Sequence, residues 1–373
     1  MQNESNTYTI KAIGKEQNKN MLEILRESPI NSKGLTICFD RQPDIFITPE
    51  LNSEKLQTIG LFKAEKLVGF VMMLYQNVYV NGKPQLVMYY CNMHVKNEAR
   101  RKGFFYKASD YVSRDPYKNS NLGCAIVMKG NKAAERFISK RKAEYPNIPY
   151  SKIIGELHVK NIMITFRKNE STKYHIRGAT MADVDDIIVL LKEEFSPRLF
   201  APVMDKKIFL NNLAKRPDFD ISNYYVAEQE GKIVGVCAAW DTCGFKQNRI
   251  IRYGKKLKVI KIFHTIFARL FGLPHLPQPG KAIKDATITE YAVKERNPEI
   301  LEALLVKIYN EYQYRKYNML IFGSCANDPL LQATKRFFTQ PVVSNIILFS
   351  KDESFLNEGK IDASLPYIDL VML

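Results

Sequence analysis

Hydrophobic and polar positions along the chain fall into a pattern that runs twice. In the first half the apolar run KLVGFVMMLY (Lys66 to Tyr75) follows LFKAE, and in the second KIVGVCAAW (Lys232 to Trp240) follows YYVAEQEG. Each predicts a β-hairpin whose second strand carries Val-Gly near its start. Further on, Met88 to Phe105 corresponds to Ala286 to Tyr309, each an extended run ending in Val-Lys before a turn and a helix. Leu122 to Ile138 then corresponds to Met319 to Phe337, each a buried strand with an Asn near its end and another helix behind it. The openings correspond as well. In Tyr174 to Leu191 apolar residues share one helical face behind Thr180, a suitable N-cap, and Tyr8 to Ser28 is a looser version. Four correspondences in one order predict a duplicated α/β domain.

The polar stretch Phe166 to His175 sets the boundary, giving domains over 1–168 and 169–373. The halves differ in one place, where the second carries an extra segment over 244–285. Within it the spacing predicts a helix over Lys255 to Phe271, stopped by Gly272 and Pro274. Lys258, Lys261, Thr265 and Arg269 share one side of that helix. A stripe of Val259, Ile262, Phe263, Ile266, Phe267 and Leu270 runs along the other. The stripe either packs on the second domain with the basic side in solvent, or residues 249–272 lie on an anionic membrane or an acidic partner. The closing run SLPYIDLVML alternates in the manner of a strand that closes a sheet.

Composition narrows the chemistry. The 373 residues are 46% hydrophobic, enough for a large core and about two domains. The charge, 55 − 39 = +16, favours anionic partners without choosing among them. Six scattered cysteines, with no CxxC and no Cys/His cluster, read as reduced buried thiols and give no metal site. Neither a signal peptide nor a membrane span is visible, so a cytoplasmic location is expected. Nucleic acid is not expected, because no recognition motif or interleaved aromatic and basic repeat occurs.

The chemistry-bearing stretch is VKNEARRKGFF, Val95 to Phe105. A strand end, a turn with Arg100, Arg101 and Lys102, and a helix start together predict an anion site, since backbone N–H groups there point outward. Gly103 lets a phosphate approach the backbone.

These residues resemble the acyl-CoA-binding motif of the GNAT superfamily of N-acyltransferases, R/Q-x-x-G-x-G/A. The match is Arg100-x-x-Gly103, with Phe105 in place of the final small residue. Asn131-x-x-Ala134-x-x-Phe137 is similar to the family's second segment, and Ile138 stands where that segment has the Tyr that protonates the leaving thiolate. The resemblance implies an α/β (α+β) fold of two tandem GNAT-like domains, each a mixed, mostly antiparallel sheet flanked by helices. It also implies acetyl-CoA or another acyl-CoA as co-substrate in the first half. Arg100, Arg101, Lys102, Gly103, Phe105 and Tyr106 would hold the pyrophosphate, Met93 and Val95 the pantetheine and carbonyl, and Asn131 the cofactor arm. The second half has no R-x-x-G, and Glu295 and Glu299 stand where phosphates would lie. The acceptor would be a small-molecule or peptide amine.

Acyl transfer needs a neutral amine and a stabilised thiolate. No carboxylate stands early on the strand before the turn, which reads Tyr89-Tyr90-Cys91. Tyr89 and Tyr90 alternate faces, so one of them is the candidate for the cleft. Glu98 reads as a loop charge and Cys91 as packing. The alternative to an enzyme is a non-catalytic module that keeps the fold and docks through its basic insertion.

Overall fold

The computed structural model describes residues 8–32, 34–114, 120–132, 134–135, 148–357 and 359–373. The first half runs β1 (Tyr8–Ile13), α1 (Asn18–Arg26), β2 (Ile30–Ser32), β3 (Leu35–Asp40) and α2 (Ile47–Leu51). It continues with β4 (Lys55–Lys63), β5 (Lys66–Val80), β6 (Lys83–Val95), α3 (Phe104–Ser113), β7 (Leu122–Met128) and β8 (Tyr150–Met163). The second half opens with β9 (His175–Gly178), α4 (Val184–Phe195), α5 (Lys206–Lys215), β10 (Tyr224–Gln229) and β11 (Lys232–Trp240). The insertion supplies β12 (Gln247–Tyr253) and α6 (Lys255–Phe271). Then come β13 (Asp285–Val293), α7 (Pro298–Tyr314), β14 (Met319–Cys325) and β15 (Thr339–Ser350).

Twelve of these strands form one sheet, ordered β1-β4-β5-β6-β7-β15-β8-β14-β13-β11-β10-β9. Read inward from either edge the order is the same. β1, β4, β5, β6 and β7 correspond to β9, β10, β11, β13 and β14, and each half sends its last strand across to the other. β15 pairs with β7, β8 pairs with β14, and the two crossing strands pair along a ladder from Thr339↔Ile162 to Ser350↔Tyr150. Fold class and duplicated order thus agree with the reading of the sequence, and the strand exchange joins the two halves into a continuous sheet.

The repeated Val-Gly has a steric cause. Gly69 lies opposite Val95 and Gly235 opposite Val293. A Cβ on Gly69 would stand 3.1 Å from the His94 carbonyl oxygen, and one on Gly235 2.6 Å from Ile300 Cγ2. A side chain would press on the facing strand at Gly69 and on α7 at Gly235.

Two expectations are corrected. Residues 364–373 are not a strand but a strap ending in a short 3-10 turn, Leu370–Met372. Side chains satisfy its carbonyls where a ladder would have done so: Arg198 Nη2 donates to Pro366 O (3.2 Å), and Lys246 Nζ to Leu370 O (2.7 Å) and Val371 O (3.0 Å). Its buried residues come in adjacent pairs, Pro366 with Tyr367 and Leu370 with Val371, so the burial does not alternate as in a strand. The apolar stripe of α6, within the expected bounds and ended by Gly272 at φ 62°, does not pack on the second domain. It faces outward: β12 pairs with β3 of the first half in a separate three-stranded sheet, and Lys261 on the helix's other side is held by Gln278 and the Tyr253 ring. No helix among the described residues is long and apolar enough to cross a membrane.

Candidate active site

β6 and β7 run parallel and pair only from Met88↔Gly123 to Tyr90↔Ala125. Past that point β7 keeps its ladder with β15 while β6 stays with β5, so the two strands part into a fork. At the fork β6 bulges. Between Phe70↔His94 and Met72↔Cys91 it uses two residues, Asn92 and Met93, against Val71 alone, and Asn92 takes φ 47°. Such a bulge shifts the alternation of side chains. Its effect is visible at His94, whose ring lies 5.7 Å from Phe70, a member of the same core cluster as Tyr89. Met93 is exposed and Val95 half-buried at the fork.

The basic turn follows directly. Lys96 N–H bonds Val68 O at 2.8 Å, a short 3-10 turn (Asn97–Ala99) is anchored by buried Ala99, and Arg100 Nε reaches Val95 O at 3.4 Å. Glu98 is an exposed member of that turn. Arg101 at φ 64° and Gly103 at φ 72° reverse the chain into α3, with Gly103 at the N-cap. The side chains of Arg100, Arg101 and Lys102 are exposed. The first turn of α3 thus follows the end of β6, with three exposed cations in the turn before it, an arrangement that suits a phosphate. Phe105 turns beneath α3, 5.9 Å from Tyr90, and does not plug the fork; Tyr106 is half-buried beside it. Asn131 follows β7, and its Oδ1 accepts Ala134 N–H at 3.4 Å as an N-cap does. Phe137 and Ile138 lie outside the described residues.

The two tyrosines separate by face. Tyr90 is held in the core below α3, between Phe105 and Phe349, so it is turned away from the cleft. Tyr89 faces the other way, with Cys124, into a cleft of about 510 Å³ between the halves. That is within the range of roughly 300–1,000 Å³ usual for small-molecule sites. The first half contributes Glu50, Glu54, Gln76 and Tyr89 to it, and the second contributes Lys215, Arg216, Glu290 and Asp369. Burial raises the Tyr89 phenol well above its usual range, so it stays protonated at neutral pH. Burial likewise raises the Cys91 thiol and keeps it from being a thiolate.

Reasoning from sequence missed a set of buried titratable groups close to the bulge. Arg41 donates to Asp40 O (3.2 Å) and Leu373 O (3.0 Å), and its charge acts on Cys91, His94, Lys246 and Asp285. Burial, then Arg41, lowers His94 to about 4, so its imidazole is neutral at pH 7. Burial first and Arg41 second bring Lys246 down to about 7. Asp285, which accepts from Asn248 Nδ2 at 2.8 Å, is raised to about 6 by burial. The four residues come from four separate segments, so no local spacing could announce them. Only His94, directly before Val95, had a visible cue.

The corresponding turn of the second half is filled from within. Arg296 bonds Glu194 and Asp328 (2.6 Å to the latter), and fully buried Arg198 joins the same two carboxylates at 2.7 and 3.4 Å. Glu299 pairs with Lys173 at 2.7 Å and lies in the first turn of α7, where Glu295 takes φ 56° just before it. In the second half the bulge position is Glu290, φ 45°, bonded to Tyr224 and, at 2.7 Å, to Arg216. Arg216 Nε and Nη1 make no hydrogen bond, and the guanidinium lies 5.1 Å from the Phe219 and Trp240 rings.

No protein-family description and no curated protein matches the sequence. Solved structures do match. N-myristoyltransferase of Saccharomyces cerevisiae with bound myristoyl-CoA superposes with a TM-score of 0.62 at 14% identity, over 92% of this chain and 78% of that one. A probable N-acyltransferase from Enterococcus faecalis V583 gives 0.50 at 14% identity, over 94% and 75%. A GCN5-related N-acetyltransferase from Anabaena variabilis gives 0.50 at 9% identity, over 93% and 73%. The forked strand pair, the bulge and the basic helix start thus sit in a chain with the fold of the GNAT-superfamily acyl-CoA N-acyltransferases.

Proposed function

We propose that the protein transfers an acyl group from acyl-CoA to an amine, with the donor held by the first half and the acceptor entering between the halves. One observation carries this reading: the fork at Asn92 opens beside a basic helix start, and the pairing that closes it ends at Tyr90, next to Tyr89 on the wall of the cleft between the halves. A pyrophosphate at Arg100 to Gly103 lays the pantetheine along β6, with Asn131 at the far wall of the fork. The thioester then reaches the Asn92 to Val95 edge, where Met93 and Val95 backbone amides polarise its carbonyl. The internal ion pairs around Arg296 leave the second turn without room for a phosphate, which supports a single donor site. That the yeast enzyme was crystallised with myristoyl-CoA makes long-chain donors worth testing beside acetyl-CoA.

The cleft suits an amine acceptor, small molecule or peptide. Of the carboxylates that line it, Glu290 is paired with Arg216 and Glu50 with Lys15, and exposed Glu54 is the one offered to an ammonium group. Having given its ammonium proton to solvent, the neutral amine attacks the thioester carbon, and its second proton leaves through a water relay. As the C–S bond breaks, the protonated Tyr89 phenol donates a hydrogen bond to the departing thiolate, which ends as free CoA thiol once the amine's proton reaches it. Positioning supplies much of the remaining acceleration. Release of CoA thiol from a panel of acyl-CoAs and amines tests the reading; a donor that binds and is never consumed with any amine class would speak for a binding module.

A further inference from the structure

The insertion between β11 and β13 has no acidic residue from Arg249 to Lys284 and nine Lys or Arg. Within it, α6 stands against the body of the protein through Leu257, Lys261, His264, Thr265 and Ala268, of which only Ala268 is buried. Polar ties fix its orientation. Lys261 Nζ donates to Gln278 Oε1 at 2.8 Å and lies 4.8 Å from the Tyr253 ring, Tyr253 OH bonds Pro277 O at 2.8 Å, and Lys316 Nζ reaches Gly272 O. The opposite face carries Val259, Ile262, Phe263, Ile266, Phe267 and Leu270, each more than half exposed and Leu270 72% so. Phe166, 5.7 Å from Phe271, extends the same apolar surface. A contiguous apolar face held outward by bonds on its back is an interaction surface.

We infer that α6 is an interfacial anchor that seats the protein on a bilayer bearing anionic headgroups. Two features choose lipid over a second copy of the chain. A single convex helix offers a ridge that sinks into an acyl boundary and no cavity for a partner's side chains. Exposed Lys255, Lys256, Lys258 and Arg269 lie beside the apolar face. In a two-fold pairing they would meet charges of the same sign, whereas anionic headgroups neutralise them. The anchor is independent of the acyl-transfer reading, although it would bring an amphiphilic donor or acceptor to the site.

Co-sedimentation of the full chain with vesicles tests it, using phosphatidylcholine alone and phosphatidylcholine mixed with phosphatidylserine. The wild type is expected to bind the anionic vesicles at least about tenfold more tightly, with the difference shrinking at high salt. The double substitution Phe263→Glu/Leu270→Glu, at exposed positions and checked by circular dichroism for an unchanged fold, is expected to reduce binding to background. Absence of binding by the wild type, equal binding to both vesicle types, or binding unchanged in the double variant would overturn the anchor. So would self-association of the wild type without vesicle binding, abolished by the same substitutions, since α6 would then join copies of the chain.

Discussion

Asn92 and Glu290 occupy the same position of a duplicated bulge. Each stands three residues before the Val that ends its strand, and each is held at positive φ, 47° and 45°. Such backbone at a non-glycine residue costs on the order of 1–3 kcal/mol and persists where the surrounding structure enforces it. The duplication kept the backbone and changed the chemistry. Asn92 borders an open fork, while Glu290 is tied down by Arg216 and Tyr224 at the floor of the cleft.

The opposite faces of Tyr89 and Tyr90 separate a role at the site from a role in the core. Tyr89→Phe is expected to lower kcat by roughly 10–100-fold while leaving acyl-CoA affinity unchanged, as loss of a hydrogen bond to the leaving group does. Tyr90→Phe removes the hydrogen bond to Ser109 and is expected to cost about 1 kcal/mol of stability with kcat preserved. Steady-state kinetics and urea denaturation on both variants check this, and the reverse assignment of effects would contradict it.

The ion-pair cluster that fills the second turn should be structural. Asp328 is buried and bonded by Arg296 and Arg198. Asp328→Ala leaves two guanidinium groups short of a partner and is expected to destabilise the fold by about 3–5 kcal/mol. Urea denaturation reads the loss. Acyl-CoA affinity, measured on the fraction that remains folded, should be unchanged, because the proposed donor site lies in the other half.

Asp285 gives a pH signature. Its carboxyl is raised to about 6 by burial, above the roughly 3.9 of an unfolded chain. A raised folded value means that the unfolded state releases the proton first. The contribution is therefore fully present below about pH 3.9 and is lost as pH rises to about 6. Relative to Asp285→Asn, the wild type is expected to lose up to about 3 kcal/mol across that window and then level off. Denaturation curves for both proteins across the window check the sign; a difference independent of pH would contradict it.

How much of this was legible in the sequence follows from how local each feature is. The Val-Gly hairpins, the Val-Lys strand ends and Gly103 each rest on neighbours within a few residues, so they could be read directly. The exchange of β8 and β15 pairs Tyr150 with Ser350, and no local pattern encodes a partner so distant. The same holds for Arg41, His94, Lys246 and Asp285, which only the tertiary fold brings together. The amphipathic pattern of α6 correctly marked a helix, yet periodicity gives two faces and does not say which one meets the protein. That was decided by the ties of Lys261 to Gln278 and of Lys316 to Gly272. In 364–373 the apolar residues are buried in adjacent pairs, and an apolar run alone does not tell such a strap from a strand.

The central claim is a single acyl-CoA site at the fork of the first half. Calorimetric titration of acetyl-CoA and myristoyl-CoA into the wild type and Gly103→Glu tests it most directly. The substitution places a carboxylate at the start of α3 on backbone with φ 72°, and circular dichroism of the variant checks that the fold remains. The account predicts saturable one-site binding of at least one donor by the wild type, lost in the variant. No binding of either donor by the wild type, or equal binding by Gly103→Glu, would contradict it.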